Sequence, residues 1–129
     1  MSRVDRNSAT IAAPVGTYSH GVSVEGPGKW LHVAGQVGLS PDGRLGDGFE
    51  AQARLAWTNL VAVLKDARME VADLVKVTSY LVEPEHMSLL GPVRAPFLGA
   101  ARPASTVVIV KALARPEWLF EVDAVAWRE

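Results

Sequence analysis

An α+β fold, a sheet with two helices on one of its faces, is predicted by three features of the 129-residue sequence. The first is a change of period. Apolar residues fall at 49, 53, 56, 60, 63, 64 and 67, the three-and-four spacing of a single helix stripe. The second is the run Trp118 to Trp127. As a strand it turns Glu121 and Asp123 to one side, about 7 Å apart, and Phe120, Val122, Ala124 and Ala126 to the other. The third is Thr106 to Val110, apolar at nearly every position and so in need of cover on both sides. Two helices roof one face of a sheet, and another copy of the same chain is the simplest cover for the second.

The elements follow in order as β-β-β-α-β-α-β-β, a mostly antiparallel six-stranded sheet in an α+β sandwich. Residues 1–16 hold a short strand and then Pro14 and Gly16, which mark a connection. Thr17 to Glu25 reads as a strand with Tyr18, His20, Val22 and Val24 on one face. Gly26-Pro27-Gly28 turns it into Lys29 to Gln36, so the two runs pair as a hairpin. Pro41-Asp42-Gly43 is a turn. The main helix spans Phe49 to about Ala67, with Glu50, Arg54, Asn59, Lys65, Asp66 and Arg68 outward. Asp73 to Val82 is rich in β-formers. Glu83 to Gly99 has helical spacing at 87, 90, 93 and 97, but Pro92 and Pro96 each remove a donor, and a short helix starting at Gly91-Pro92 is the alternative. Arg102 to Val110 and Trp118 to Trp127, joined by residues containing Arg115 and Pro116, read as an antiparallel hairpin.

Composition narrows the function classes. The length suits one domain, 1–129. A formal net charge of −1 without a basic run gives no electrostatic case for nucleic acid or an anionic membrane. The absence of cysteine excludes disulfides, thiolate metal sites and a cysteine nucleophile. No signal-like start and no apolar run of membrane-spanning length is found, so a soluble cytoplasmic protein is expected. His20, His32 and His86 are far apart, with no partner at a ligand spacing, so neither a metal nor another cofactor is expected. No nucleophile elbow and no phosphate-cradling glycine motif is present. Trp30, Trp57, Trp118 and Trp127 read as packing or interface anchors. Glu121 and Asp123 form a general acid and base pair if burial raises one pKa, or else bind arginines and backbone donors of a neighbouring copy. The hydroxyls of Ser105 and Thr106 suit hydrogen bonds to a ligand, and equally an ordinary strand start.

Several motifs recur together: Val33-Ala34-Gly35-Gln36-Val37 with Asp42-Gly43, Gln52-Ala53-Arg54 with Asn59-Leu60, Asp73 to Thr78, Ser105-Thr106-Val107, and Glu121 to Ala126. In this order and spacing, from about Pro14 to Trp127, the sequence resembles the reactive intermediate deaminase (Rid, YjgF-like) family. The resemblance implies a chorismate-mutase-like fold, a homotrimer with small-molecule clefts between subunits, and hydrolysis of reactive imines or enamines. It implies that Glu121 positions the attacking water, that Tyr18 lines the cleft and that Gly35 lies in the cleft-lining turn. It also implies substrate-carboxylate binding by an arginine just before the Ser-Thr-Val strand.

The sequence departs from the pattern at that arginine, where Ala104 stands, and at a helical asparagine, where Gly91 stands. Arg102, two residues earlier on an extended segment fixed by Pro103, is the candidate replacement, its side chain folding back about 7 Å. The substrate-binding candidates are therefore Tyr18, Gly35, Arg102, Ala104, Ser105 and Thr106, with Glu121 catalytic. The competing readings are a non-catalytic trimeric metabolite-binding module, suggested by Ala104 and Gly91, and a ribonuclease or translation inhibitor, which the charge balance does not favour.

Overall fold

The computed structural model describes residues 2–129, so Met1 of the expected 1–129 domain lies outside the described residues. The strands are β1 (Arg3–Arg6), β2 (Gly21–Val24), β3 (Lys29–Val37), β4 (Leu74–Leu81), β5 (Ala104–Ile109) and β6 (Phe120–Arg128). The helices are α1 (Gly48–Asp66), between β3 and β4, and α2 (Met87–Leu98), between β4 and β5. No helix among the described residues is long and apolar enough to cross a membrane.

The α+β class holds, with six strands and two helices, but the strands divide differently from the expected single sheet. Four form one sheet in the order β3-β6-β4-β5, and β1 with β2 forms a second. Neither expected hairpin forms. β2 pairs antiparallel with β1, while β3 pairs antiparallel with β6. β5 pairs with β4, in parallel, and β6 lies on the other side of β4. The reason is the crossover: α2 returns the chain to the start of the sheet, so β5 must run alongside β4 in the same direction. Residues 110–119 then carry the chain past β4 to the centre, where the alternating apolar residues of β6 can be buried. A bridge from Ser19 to Ala104 ties the second sheet's approach to the free edge of β5.

The core lies between the sheet and the helices. Phe49, Ala53, Ala56, Trp57, Leu60 and Leu64 of α1 meet Val33, Leu74, Val77, Leu81, Phe120, Val122, Ala124 and Ala126. Two motif residues turn out to be structural clips. Buried Gln52 donates to the carbonyl of Glu117 (3.2 Å) and accepts from the amide of Leu119 (2.8 Å), holding the loop before β6. Asn59 donates to the carbonyls of Val37 and Leu39, at 3.1 and 2.9 Å.

Pro92 and Pro96 do not delay α2, which starts at Met87 and contains both. They sit four apart on its exposed side. The carbonyls that lose a partner, those of Ser88 and Pro92, therefore reach solvent. Gly38 marks the closest approach of α1. A Cβ there would lie 2.4 Å from the Cα of Gln52 and 2.7 Å from its carbonyl oxygen, helix backbone that cannot swing aside. Gly38→Ala is expected to destabilise the fold by about 1–3 kcal/mol, read as a lower urea midpoint with unchanged slope.

Candidate functional site

Alternation divides the four-stranded sheet into two unlike faces. Val33, Val77, Leu81, Phe120 and Val122 point to the helices. Trp30 and His32 of β3, Lys76, Thr78 and Tyr80 of β4, Ala104, Thr106 and Val108 of β5, and Glu121, Asp123 and Val125 of β6 point away from them, as the register and burial require. Much of this second face is uncovered among the described residues, although Trp127, opposite Trp30 in the register, is buried. Trp30 is 52% and Val108 37% exposed. Ile109 of the edge strand β5 is 43% exposed in the single chain.

Glu121 lies near one end of the open face, at the start of the inner strand β6, opposite Val37 of β3 and Tyr80 of β4. The register of β3 against β6 slips between Val33 and Gln36, so Ala34 and Gly35 form a bulge beside it. A Cβ on Gly35 would stand 2.2 Å from Oε2 of Glu121 and 2.7 Å from Cδ, so the missing side chain is the space the carboxylate occupies. Burial, reinforced by the like charge of Asp123, raises the Glu121 pKa above the ordinary carboxylate value. Asp123 accepts a 2.6 Å hydrogen bond from the hydroxyl of Tyr80, which stands opposite Glu121 on β4. That bond, followed by burial, raises the tyrosine's own pKa. A proton-accepting carboxylate, a neighbouring acid and a hydroxyl donor thus share one patch.

The structure brings only some of the sequence-predicted residues together. Glu121, Gly35, Ala104 and Thr106 belong to the open face. Ser105 and Val107, of opposite parity, face α2, where with Tyr18, Leu90, Gly91 and Arg94 they line a separate cleft of about 350 Å³. Tyr18 reaches that cleft from the 15–18 segment, its hydroxyl accepting from the amide of Val15 at 3.3 Å. Arg102 is engaged elsewhere. One guanidinium nitrogen donates to the carbonyls of Gly99 and Ala101, both at 2.8 Å, in the turn just past α2.

Two cations escaped the sequence reading. Lys76, quoted only as part of a motif, pairs in register with Ala104, and its ammonium donates to Oγ1 of Thr106 at 2.6 Å. It therefore lies beside the position that lacks the arginine, on the face that carries Glu121. Thr106 and Thr78 share a row next to the row of Tyr80 and Glu121, about 7 Å along the strands. The second is Arg94, in the other cleft. The pairing of β4 with β5, which brings Lys76 to Ala104, had no local signal.

Fold and site together define a small α+β protein that presents paired carboxylates on an uncovered sheet face beside a glycine bulge. The family model described as Endoribonuclease L-PSP matches residues 9–128. The chain belongs to this family, that of the YjgF/Rid proteins. A RutC family protein of Pyrococcus abyssi is 31% identical over 118 residues, covering 90% of each chain. A bovine 2-iminobutanoate/2-iminopropanoate deaminase is 30% identical over 122 residues, covering 93% of this chain and 86% of its own. Among solved structures, a conserved Rid family protein from Yersinia pestis, described as of unknown function, superposes with a TM-score of 0.87 at 33% identity over 98% of both chains.

Proposed function

We propose that this chain, as one Rid-like domain over residues 1–129, hydrolyses an imine or enamine at clefts that form where three copies close over their open sheet faces. The observation that carries this reading is the Glu121 carboxylate, set against the Gly35 bulge with a pKa raised by burial and by Asp123. The 2-iminobutanoate/2-iminopropanoate deaminase relatives support the substrate class.

In the first step Glu121 takes a proton from water as its oxygen bonds to the imine carbon and the C=N π pair moves to nitrogen. In the second the protonated Glu121 passes that proton to nitrogen. The carboxylate then relays the hydroxyl proton of the adduct to the same nitrogen, and the C–N bond breaks as the C=O bond forms, so that ammonia and a carbonyl compound leave and Glu121 is again ionised. The ammonium of Lys76 offers a substrate carboxylate the charge that Ala104 does not. The neighbouring acids Glu121 and Asp123 repel a phosphate backbone, which weighs against cleavage of RNA.

The test is ammonia release from a freshly generated 2-imino acid; turnover no faster than the uncatalysed reaction would overturn the proposal. Sedimentation at micromolar concentration checks the assembly, and a stable 13.8 kDa monomer would contradict it. Gly35→Ala pushes against only the mobile end of Glu121, so stability should change little. The carboxylate must move by about 1 Å, however, and turnover should fall about 10²-fold.

Ala104 favours one second reading, a trimeric metabolite binder without catalysis. A neutral or cationic metabolite that raises the melting temperature and is recovered chemically unchanged would support that reading.

A further inference from the structure

The two acids of β6 stand two residues apart on the open face, and they turn to opposite neighbours. Oε2 of Glu121 fills the space that a Cβ on Gly35 of β3 would need. Oδ2 of Asp123 accepts the 2.6 Å bond from Tyr80 of β4. The register puts Tyr80 opposite Glu121, and Thr78 opposite Asp123. The tyrosine therefore reaches diagonally, past the acid it faces to the next one along the strand, a span within reach of an aromatic side chain.

That choice makes the acids chemically unequal. A donated hydrogen bond favours the ionised form of a carboxylate. Asp123 has such a donor and Glu121 has none among the described residues, so that only burial and the charge of Asp123 act on it. One proton offered to the pair therefore goes to Glu121. The other titratable groups of this face stand apart from the choice. His32 of β3 and Lys76 of β4 both lie opposite Val125, beyond Asp123, where Lys76 donates to Thr106. From β5 the face receives only Ala104, Thr106 and Val108.

We propose that Tyr80 is a positioning residue of the site: its hydrogen bond keeps Asp123 as the fixed anion of the pair and leaves Glu121 alone to take and return protons. Without the donor the two carboxylates compete for one proton, and the acid set against Gly35 holds it for only part of the time. The use made of that proton rests on the hydrolytic reading, whereas the order in which the acids titrate is read without turnover.

Carboxyl-carbon NMR on the isotope-labelled full chain, with Glu121→Gln to identify the signal, tests it. In the wild type the upper of the pair's two steps is expected on Glu121. Tyr80→Phe keeps the ring and removes the donor, so the proton affinity of Glu121 should fall severalfold as Asp123 takes a share. Asp123→Asn removes the like charge and should lower that affinity by about tenfold or more. A tyrosine that only supports the fold would leave the order of titration alone. A Glu121 midpoint that Tyr80→Phe leaves unchanged or raises overturns the proposal. So does an upper step on Asp123 in the wild type, which decides the matter even if Tyr80→Phe does not fold. Ammonia release from a 2-imino acid, measured on the same samples, keeps the two readings apart. A wild type that titrates as expected but releases none overturns hydrolysis, while the place of the proton stands.

Discussion

Glu121→Gln is expected to lower imine hydrolysis by about 10²- to 10⁴-fold, the usual contribution of a positioned general base, while leaving the fold intact. Glutamine keeps the shape that fits against Gly35 but cannot accept a proton from water. The wild-type profile should show the same group. Only the ionised carboxylate is a base, so kcat/KM should fall on the acid side, with an inflection above the ordinary value of 4.5 because burial and Asp123 hold the proton on. Since the two acids interact, that inflection belongs to the pair. Stability has the opposite sign. With its pKa raised in the folded state, Glu121 binds more protons there than in the unfolded chain between 4.5 and the folded value. Stability conferred by this group is therefore full below 4.5 and lost as pH rises through the folded pKa. Glu121→Gln should remove that loss, so the variant should melt higher than wild type at neutral pH and show a flatter profile. A variant that is inactive and also less stable at neutral pH would mean that Glu121 holds the structure instead.

Trp57→Ala is expected to be the most damaging single change to the fold. Trp57 is fully buried in α1, 5.9 Å from Phe97 of α2 between ring centroids, and it also lies under Arg94 and Ser105. Emptying that volume where both helices meet the sheet should cost about 3–5 kcal/mol. Against the roughly 5–15 kcal/mol of a typical domain, that brings the chain close to unfolding at physiological temperature. Trp57→Phe is the informative companion. The indole nitrogen has no hydrogen-bond partner, so phenylalanine loses packing area but relieves a buried unpaired donor. Its urea midpoint should lie between those of the wild type and the alanine variant, nearer to the wild type. A phenylalanine variant as unstable as alanine would show that the indole nitrogen is satisfied after all.

Much of this architecture was legible in local pattern. The 3.6-residue stripe located α1, the Pro41-Asp42-Gly43 turn formed with Gly43 at φ 83, and the alternation of β6 separated Glu121 and Asp123 from the buried side. The site was legible only in part. Parity already put Ser105 on the opposite side of β5 from Ala104 and Thr106, yet proximity in sequence grouped the three. Its extended segment makes Arg102 the replacement cation by sequence, whereas the carbonyls of Gly99 and Ala101, just past α2, hold its guanidinium. Arg94 carried no signal beyond being one charge in a helix with two prolines. Only the fold buries it, in the cleft it shares with Ser105.

By itself the sequence determined the main helix, most of the extended segments, which side chains of β6 share a face, and the family. These depend on interactions a few residues apart, where the backbone's own periods dictate what lies beside what. Only the tertiary structure decided that β6 lies between β3 and β4, that Lys76 stands opposite Ala104, and that Glu121 and Arg94 occupy opposite sides of one sheet. Those outcomes follow from the crossover through α2 and from burying the apolar side of β6 at the centre, long-range choices that no stretch of neighbouring residues encodes.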